Sequence, residues 1–304
     1  MNIAGDLKDK MQESIKALQL ASKMSEQYYN HPLEIAYSGG KDSDVLLHLA
    51  QQADIPIKVV NNHTTADAPQ TVRHIRDVFR QLQDKGVKTE IVYPTYKGKR
   101  TSMWDLIPQK KKPPTRLVRY CCTVLKESYN AKGILATGVR ADESAKRSLL
   151  AGFEAITTKH DLRYSFEHVK EVYAEAQEYP EVYDCQFITK MKQQKKVIAN
   201  PLINWTEADI YTYIHTYSIP LCELYSMGYR RVGCIGCPMA STKGRNKEFA
   251  DFPKYKIMYL KAFEKMLENI KTTNWETAQD VFDWWMEYKK NDVPGQERFV
   301  FEEV

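Results

Sequence analysis

The sequence contains no stretch approaching the roughly 20 apolar residues that span a bilayer. Its opening, MNIAGDLKDKMQ, has neither the basic segment nor the apolar run of a secretory signal. These absences set the expectation of a cytoplasmic protein with no membrane partner. No internal repeat or low-complexity tract is present. Cysteine is scarce, six in 304 residues and none after Cys237. In a reducing compartment such thiols stay reduced, so a disulfide framework is not expected and metal binding or catalysis moves up. The histidines show no zinc spacing: His160 and His168 lie eight apart, and His63 follows a strand end where a nucleotide contact is conceivable. Two nucleotide signatures are also missing. Ile35 stands where the first glycine of G-x-x-x-x-G-K-[ST] belongs, and G-x-G-x-x-G occurs nowhere.

What is there fits a globular chain of one large domain with an appendage, or two domains at most. The hydrophobic fraction is 43%, and the net charge of +5 leans mildly toward anionic partners without separating nucleotide from nucleic acid. Apolar, β-branched runs at Leu33 to Tyr37, Pro56 to Val60, Val87 to Tyr93 and Ile134 to Val139 alternate with helix-like segments. That order predicts an α/β fold, an open and mainly parallel sheet with helices on both faces, followed by a helical C-terminal extension. The expected divisions are an N-terminal helix over 1–30, the sheet domain over 31–242 and the extension over 243–304. A helix is predicted from Asp67, its cap, to Lys85, ending at Gly86, and another from Glu207 with Thr206 as its cap. In Lys97 to Arg119 the periodicity fails and eight basic residues face one aspartate, so a long irregular basic loop is expected, either simply solvated or a surface for phosphates.

The stretch EIAYSGGKDSDVLLHLA, Glu34 to Ala50, reads as a strand, a glycine turn and a helix. Two glycines let backbone N–H groups approach an anion, and the helix start adds a favourable dipole. Ser38, Lys41 and Ser43 add hydroxyls and a positive charge, so a polyphosphate is the natural guest. Lys41 is expected to face solvent. A second stretch, GVRADESAKR from Gly138 to Arg147, follows a strand and places Arg140 and Arg147 where they could reach the crevice at the strands' carboxyl ends.

Ser38-Gly39-Gly40-Lys41-Asp42-Ser43 resembles the SGGxDS loop of the N-type ATP pyrophosphatases, the PP-loop superfamily with its adenine nucleotide alpha hydrolase-like fold. The resemblance implies ATP cleavage between the α and β phosphates, with Ser38, Gly39, Gly40, Lys41 and Ser43 gripping pyrophosphate and Asp42 positioning Mg²⁺. The GVRADESAKR stretch and WTEADIYTYI…IPLCELYSMGYRRVGCIGCP resemble the phosphoadenosine phosphosulfate reductase family over most of Leu33 to Ala240. That likeness implies phosphate or sulfate contacts for Arg140 and Arg147, with Gly138 beside the nucleotide, and weaker claims for Arg230 and Arg231.

Cys121-Cys122 and Cys234-x-x-Cys237 supply four thiols, the number needed by a [4Fe–4S] cluster or a tetrahedral Zn²⁺. Adjacent cysteines suit the paired knuckles of a zinc ribbon poorly. The CC plus CxxC pattern is similar to that of iron–sulfur adenosine phosphosulfate reductases and of DNA phosphorothioation proteins of the Dnd type, which favours the cluster. Cys185 and Cys222 are expected to be buried; Cys222 is the better candidate for carrying a persulfide.

These motifs join in one reaction, ATP-dependent sulfur transfer onto an oxygen of a nucleotide or nucleic-acid acceptor activated by adenylation. Lys41, Asp42, Arg140 and Arg147 are its expected catalytic groups. The resemblance implies a cysteine desulfurase as sulfur donor, DNA or RNA could lie on the basic loop, and the C-terminal helices leave a homodimer open. A sulfonucleotide reductase competes, but reductases of this family carry a drifted loop and a C-terminal Glu-Cys-Gly nucleophile that this sequence lacks. A binding module with a structural metal is the third class.

Overall fold

The apolar, β-branched runs form the middle of a seven-stranded sheet in a computed structural model that describes residues 5–145, 147–156, 162–178, 196–271 and 274–287. Strands β1 (Leu33–Ala36), β2 (Ile57–Asn62) and β3 (Lys88–Val92) pair in parallel on one side. On the other, β1 pairs in parallel with β6 (Leu135–Ala136), and β6 with β9 (Lys196–Ala199). Antiparallel β7 (Phe153–Ile156) and β8 (Leu162–Tyr164) close that edge, giving the order β3-β2-β1-β6-β9-β7-β8. The chain therefore runs outward from β1 in one direction through β2 and β3, then resumes on the opposite side at β6. Successive strands part at β1 and β6, and such switch points are where open α/β sheets bind ligands.

Helices α1 (Gly5–Tyr29), α2 (Lys41–Gln52), α3 (Pro69–Asp84), α6 (Phe166–Glu178) and α7 (Glu207–Tyr217) belong to the same unit, which comprises Met1–Asn62, Pro69–Val92 and Tyr129–Val232. Its core joins Leu18, Ala21 and Met24 of α1 to Leu33 and Ile35 of β1, Leu46 and Leu49 of α2, and Ile210 and Tyr213 of α7. Thr206 caps α7 as expected, accepting from Asp209 N while Asp209 returns a carboxylate to Thr206 N. Asp67 does not cap α3. Its carboxylate instead accepts from Thr64 N, and Pro69 opens the helix.

A second unit comprises His63–Ala68, Tyr93–Ser128 and Gly233–Val304. It contains the hairpin of β4 (Thr95–Tyr96) and β5 (Lys99–Arg100), and helices α4 (Met103–Lys110), α5 (Tyr120–Leu125), α8 (Thr242–Asp251), α9 (Pro253–Glu268) and α10 (Ala278–Glu287). The irregular loop expected over 97–119 is thus corrected in its first half. Ser102 caps α4 by accepting from Asp105 N, and Met103, Leu106 and Ile107 bury the helical face those caps create. The core of this unit is aromatic: Trp104, Phe249, Tyr259, Phe263, Phe282 and Trp285 meet largely edge to face. Among the described residues no helix is long and apolar enough to cross a membrane.

Candidate functional site

The loop after β1 passes through Gly39 at φ +73°, a left-handed conformation, with Ile75 Cγ1 2.9 Å from where a Cβ would stand. Gly40 then begins α2. Ser43, one turn on, organises the loop from inside: its Oγ accepts from Gly40 N at 3.1 Å and donates to Gly40 O at 2.8 Å, with Ser38 N 3.3 Å away. Lys41 N donates to the Tyr225 hydroxyl at 2.8 Å. That oxygen occupies a position an anion would take at a helix start.

The Lys41 side chain departs from the expectation of a solvent-facing cation, being only 5% exposed. Its Nζ lies 3.2 Å from Asp42 Oδ2 and 3.5 Å from Glu207 Oε1, and 5.8 Å from the centre of the Tyr211 ring, both at the start of α7. Arg140, 3% exposed, donates from Nε to the other Asp42 oxygen at 2.7 Å. Asp42 thus bridges two cations at the switch point. Gly138 makes this approach possible, since a Cβ there would stand 3.0 Å from Asp42 O and 3.3 Å from Ser43 N. Those neighbours are backbone and have little room to yield; β6 itself is shorter than the predicted run from Ile134 to Val139. Arg147 is partly exposed and pairs with Glu143. Arg230 and Arg231 are exposed.

Beneath the loop lies a buried network that the sequence did not suggest. The Tyr37 hydroxyl donates to Asp44 Oδ1 at 2.5 Å, and His74 Nε2 stands 3.1 Å from both oxygens. Burial, reinforced by Asp44, holds the Tyr37 phenol far above its ordinary range. His74 interrupts the apolar face of α3, the one sequence signal that could have marked it. Cys222 is buried beside Thr71, 3.9 Å from its Oγ1, and burial pushes its thiol up. Cys185 and His160 lie outside the described residues.

The other four cysteines all belong to the second unit. Cys121 and Cys122 sit on α5, and the Cys121 thiol feels the charges of Cys122, Cys234 and Cys237. The neighbouring Cys121 thiol and the Arg119 guanidinium, whose Nη2 lies 3.2 Å from Cys122 Sγ, pull Cys122 down, while Cys122 and burial push Cys121 up. Burial pushes Cys234 up to about 11 against the pull of Lys126. Cys234 Sγ also donates to Thr64 Oγ1 at 3.2 Å. The loop between Cys234 and Cys237 is held by Gly236 at φ +72°, where a Cβ would come within 3.0 Å of Phe249, Tyr259 and Trp285. Gly236 N donates to Glu248 at 2.7 Å, and the Tyr259 hydroxyl to Ile235 O at 2.9 Å. In number and type these thiols, with Arg119 and Lys126 to offset their charge, suit a [4Fe–4S] cluster or zinc. Among the described residues, however, no group of three or more His, Cys, Asp or Glu is arranged to hold a metal ion. His63 faces Asp67 at 3.6 Å and the Tyr93 ring.

Residues 32–240 match the model of the phosphoadenosine phosphosulfate reductase domain. The chain belongs to the phosphoadenosine phosphosulfate reductase domain family. The matched span includes the 38–43 loop, Gly138, Arg140 and all four paired cysteines. Curated relatives of this family member include a sulfate adenylyltransferase subunit 2 of Saccharophagus degradans, 28% identical over 67% of this chain and 63% of that protein. An adenosine 5′-phosphosulfate reductase of Bacillus mycoides is 24% identical over 74% of this chain and 82% of that protein. The chain spans about half the length, 52% and 39%, of two uncharacterized Methanocaldococcus jannaschii proteins that it matches. Among solved structures, the phosphoadenylyl-sulfate reductase of Candida auris, in its phosphate complex, is 17% identical with a TM-score of 0.46, covering 77% of this chain and 97% of that one.

Proposed function

We propose that this protein is an ATP-dependent, AMP- and pyrophosphate-forming sulfur-transfer enzyme acting on an oxygen of a nucleotide or nucleic-acid acceptor. The observation that carries the reading is the 38–43 loop at the switch point, with Asp42 bridging two buried cations. In the first step the acceptor oxygen attacks the α-phosphorus of ATP, the α–β anhydride breaks, and pyrophosphate leaves into the loop. Gly39 N, the Ser38 and Ser43 hydroxyls and the Lys41 ammonium would receive its charge, with Gly40 N and Lys41 N joining them once released from Ser43 and Tyr225, and Arg140 would receive that of the adenylate phosphate. Asp42 would meet the Mg²⁺ that accompanies ATP. In the second step a sulfur nucleophile at the hydrosulfide level bonds to the activated atom, and AMP departs with the former acceptor oxygen.

A cysteine desulfurase is the proposed donor; sulfur delivered as persulfide requires a further thiol to supply two electrons. Cys121, Cys122, Cys234 and Cys237 would hold the cluster, which when bound supplies iron–sulfur redox and sulfide chemistry. Their number, their type and their common unit support that assignment. A second reading, sulfonucleotide reduction, draws support from the relative named adenosine 5′-phosphosulfate reductase.

The test is ATP turnover by anaerobically purified protein. Equal amounts of AMP and pyrophosphate, abolished in Lys41→Ala, are the expected result. Unchanged ATP in the presence of RNA, DNA and nucleotide acceptors overturns the proposal, and sulfite release from adenosine phosphosulfate with a dithiol reductant replaces it with the second reading.

A further inference from the structure

We infer that the β4–β5 hairpin and the Tyr93 ring beside it form a stacking platform for unpaired nucleotides of a nucleic-acid strand. This deepens the proposed function by naming the form in which a polymeric acceptor is recognised, and it rests on that reading only for the use to which binding is put.

Tyr93, at 40% exposure, is among the most exposed large apolar-bodied side chains of the described residues. The Arg100 guanidinium lies 4.0 Å from its ring centre, and the edge of His63 meets it at 5.5 Å. Three residues on, the Tyr96 ring carries Lys110 Nζ at 4.3 Å and Lys97 Nζ at 5.6 Å, and Lys110 also donates to its hydroxyl at 2.9 Å. Among the described residues no carboxylate pairs with Lys97, Lys99, Arg100 or Lys110; where these cations have close partners, they are aromatic rings. Over 97–119 the chain carries eight basic residues against Asp105.

Cations alone attract phosphates of duplex and single strand alike, with affinity that falls as salt rises. The exposed Tyr93 ring and the half-buried Tyr96 ring, interleaved with a planar guanidinium, add a second component. Aromatic faces and arginine planes take up bases splayed out of a helix, whereas a paired base already has both faces covered by its neighbours. The hairpin fixes the backbone of Tyr96, which pairs with Lys99, and of Arg100, which pairs with Thr95 and carries the guanidinium over the Tyr93 ring.

The experiment is fluorescence polarisation with the full chain and three labelled probes: an unpaired RNA, an unpaired DNA of the same sequence, and a blunt duplex of equal length. Tighter binding of the unpaired probes than of the duplex is expected. Tyr93→Ala should weaken unpaired binding about tenfold, in keeping with the loss of one stacked base, and leave duplex binding unchanged. Tyr93→Phe, which keeps the ring, should bind like the wild type and serves as the folding control. Arg100→Gln should weaken all three probes. Equal affinity for duplex and single strand, an equal loss on both in Tyr93→Ala, or no binding of any probe overturns the platform. ATP turnover with a mononucleotide acceptor, assayed on the same preparations, separates the two ideas: turnover without strand binding removes the platform and leaves the chemistry, and strand binding without turnover does the reverse.

Discussion

The two units hold glycine-containing loops in place with different materials. In the first unit the 38–43 loop is fixed by its own backbone, by Ser43 and by the Asp42 bridge between Lys41 and Arg140, above an aliphatic sheet. In the second the Cys234–Cys237 loop is wedged among Phe249, Tyr259 and Trp285, with Gly236 sized to the gap. Charge and hydrogen bonds fix a loop through the same polar groups that the proposed reading assigns to a guest. An aromatic cage fixes a loop by shape. The first arrangement is sensitive to lost charge, the second to added volume.

Substitutions can break that contrast or sharpen it. The largest effect is expected from Cys234→Ser, which should take sulfur incorporation to background and remove bound iron and sulfide while AMP formation persists; loss of AMP formation as well would show that the units do not act separately. Arg140→Ala should lower ATP cleavage about 10²- to 10³-fold, the range seen when one preorganised donor to a developing anion is removed, with iron content unchanged by metal analysis. Gly236→Ala forces a methyl group against aromatic rings in a left-handed backbone position. A stability loss of about 3 kcal/mol is expected, read as hydrogen exchange lost from 103–125 and 242–268 but retained in 33–62. Gly138→Ala sets a methyl group against the backbone of Asp42 and Ser43, so the expected change is a raised KM for ATP together with a melting temperature a few degrees lower. The smallest effect belongs to Thr206→Ala, about 1 kcal/mol for a lost helix cap, seen as a melting shift of a few degrees. An equal or larger effect on KM would mean that α7 steers Lys41 through Glu207.

Much of the first unit was legible because its signals are local. β-branched runs, the SGGKDS turn and the Thr206 cap each need only a few neighbouring residues to declare themselves. The partners of Lys41 were not legible, since Glu207 and Tyr211 come from a distant part of the chain and a lysine after two glycines reads as solvent-facing. The same holds for Tyr225 on the Lys41 amide and for His74 beside Asp44. Helix α4 was hidden for another reason. Lysines and prolines around it outweigh three apolar residues in any composition-based reading, yet Met103, Leu106 and Ile107 share one face and pack beside α9. In the second unit the cysteine pairs stood out, whereas Thr64, Asp67 and Lys126 around them come from separate segments.

The path of the chain through the second unit has a consequence for how the protein is made. That unit is assembled from three separated pieces, and 111 residues lie between Cys122 and Cys234. At roughly 5–20 residues per second of synthesis, the first two thiols wait on the order of 5–20 s for the second two. During that interval most of the parallel sheet has left the ribosome, and the early pair stands without the later segment of its own unit. Cells starved of oxidant protection during translation should therefore injure Cys121 and Cys122 before Cys234 and Cys237, a bias that mass spectrometry of oxidised peptides can read directly.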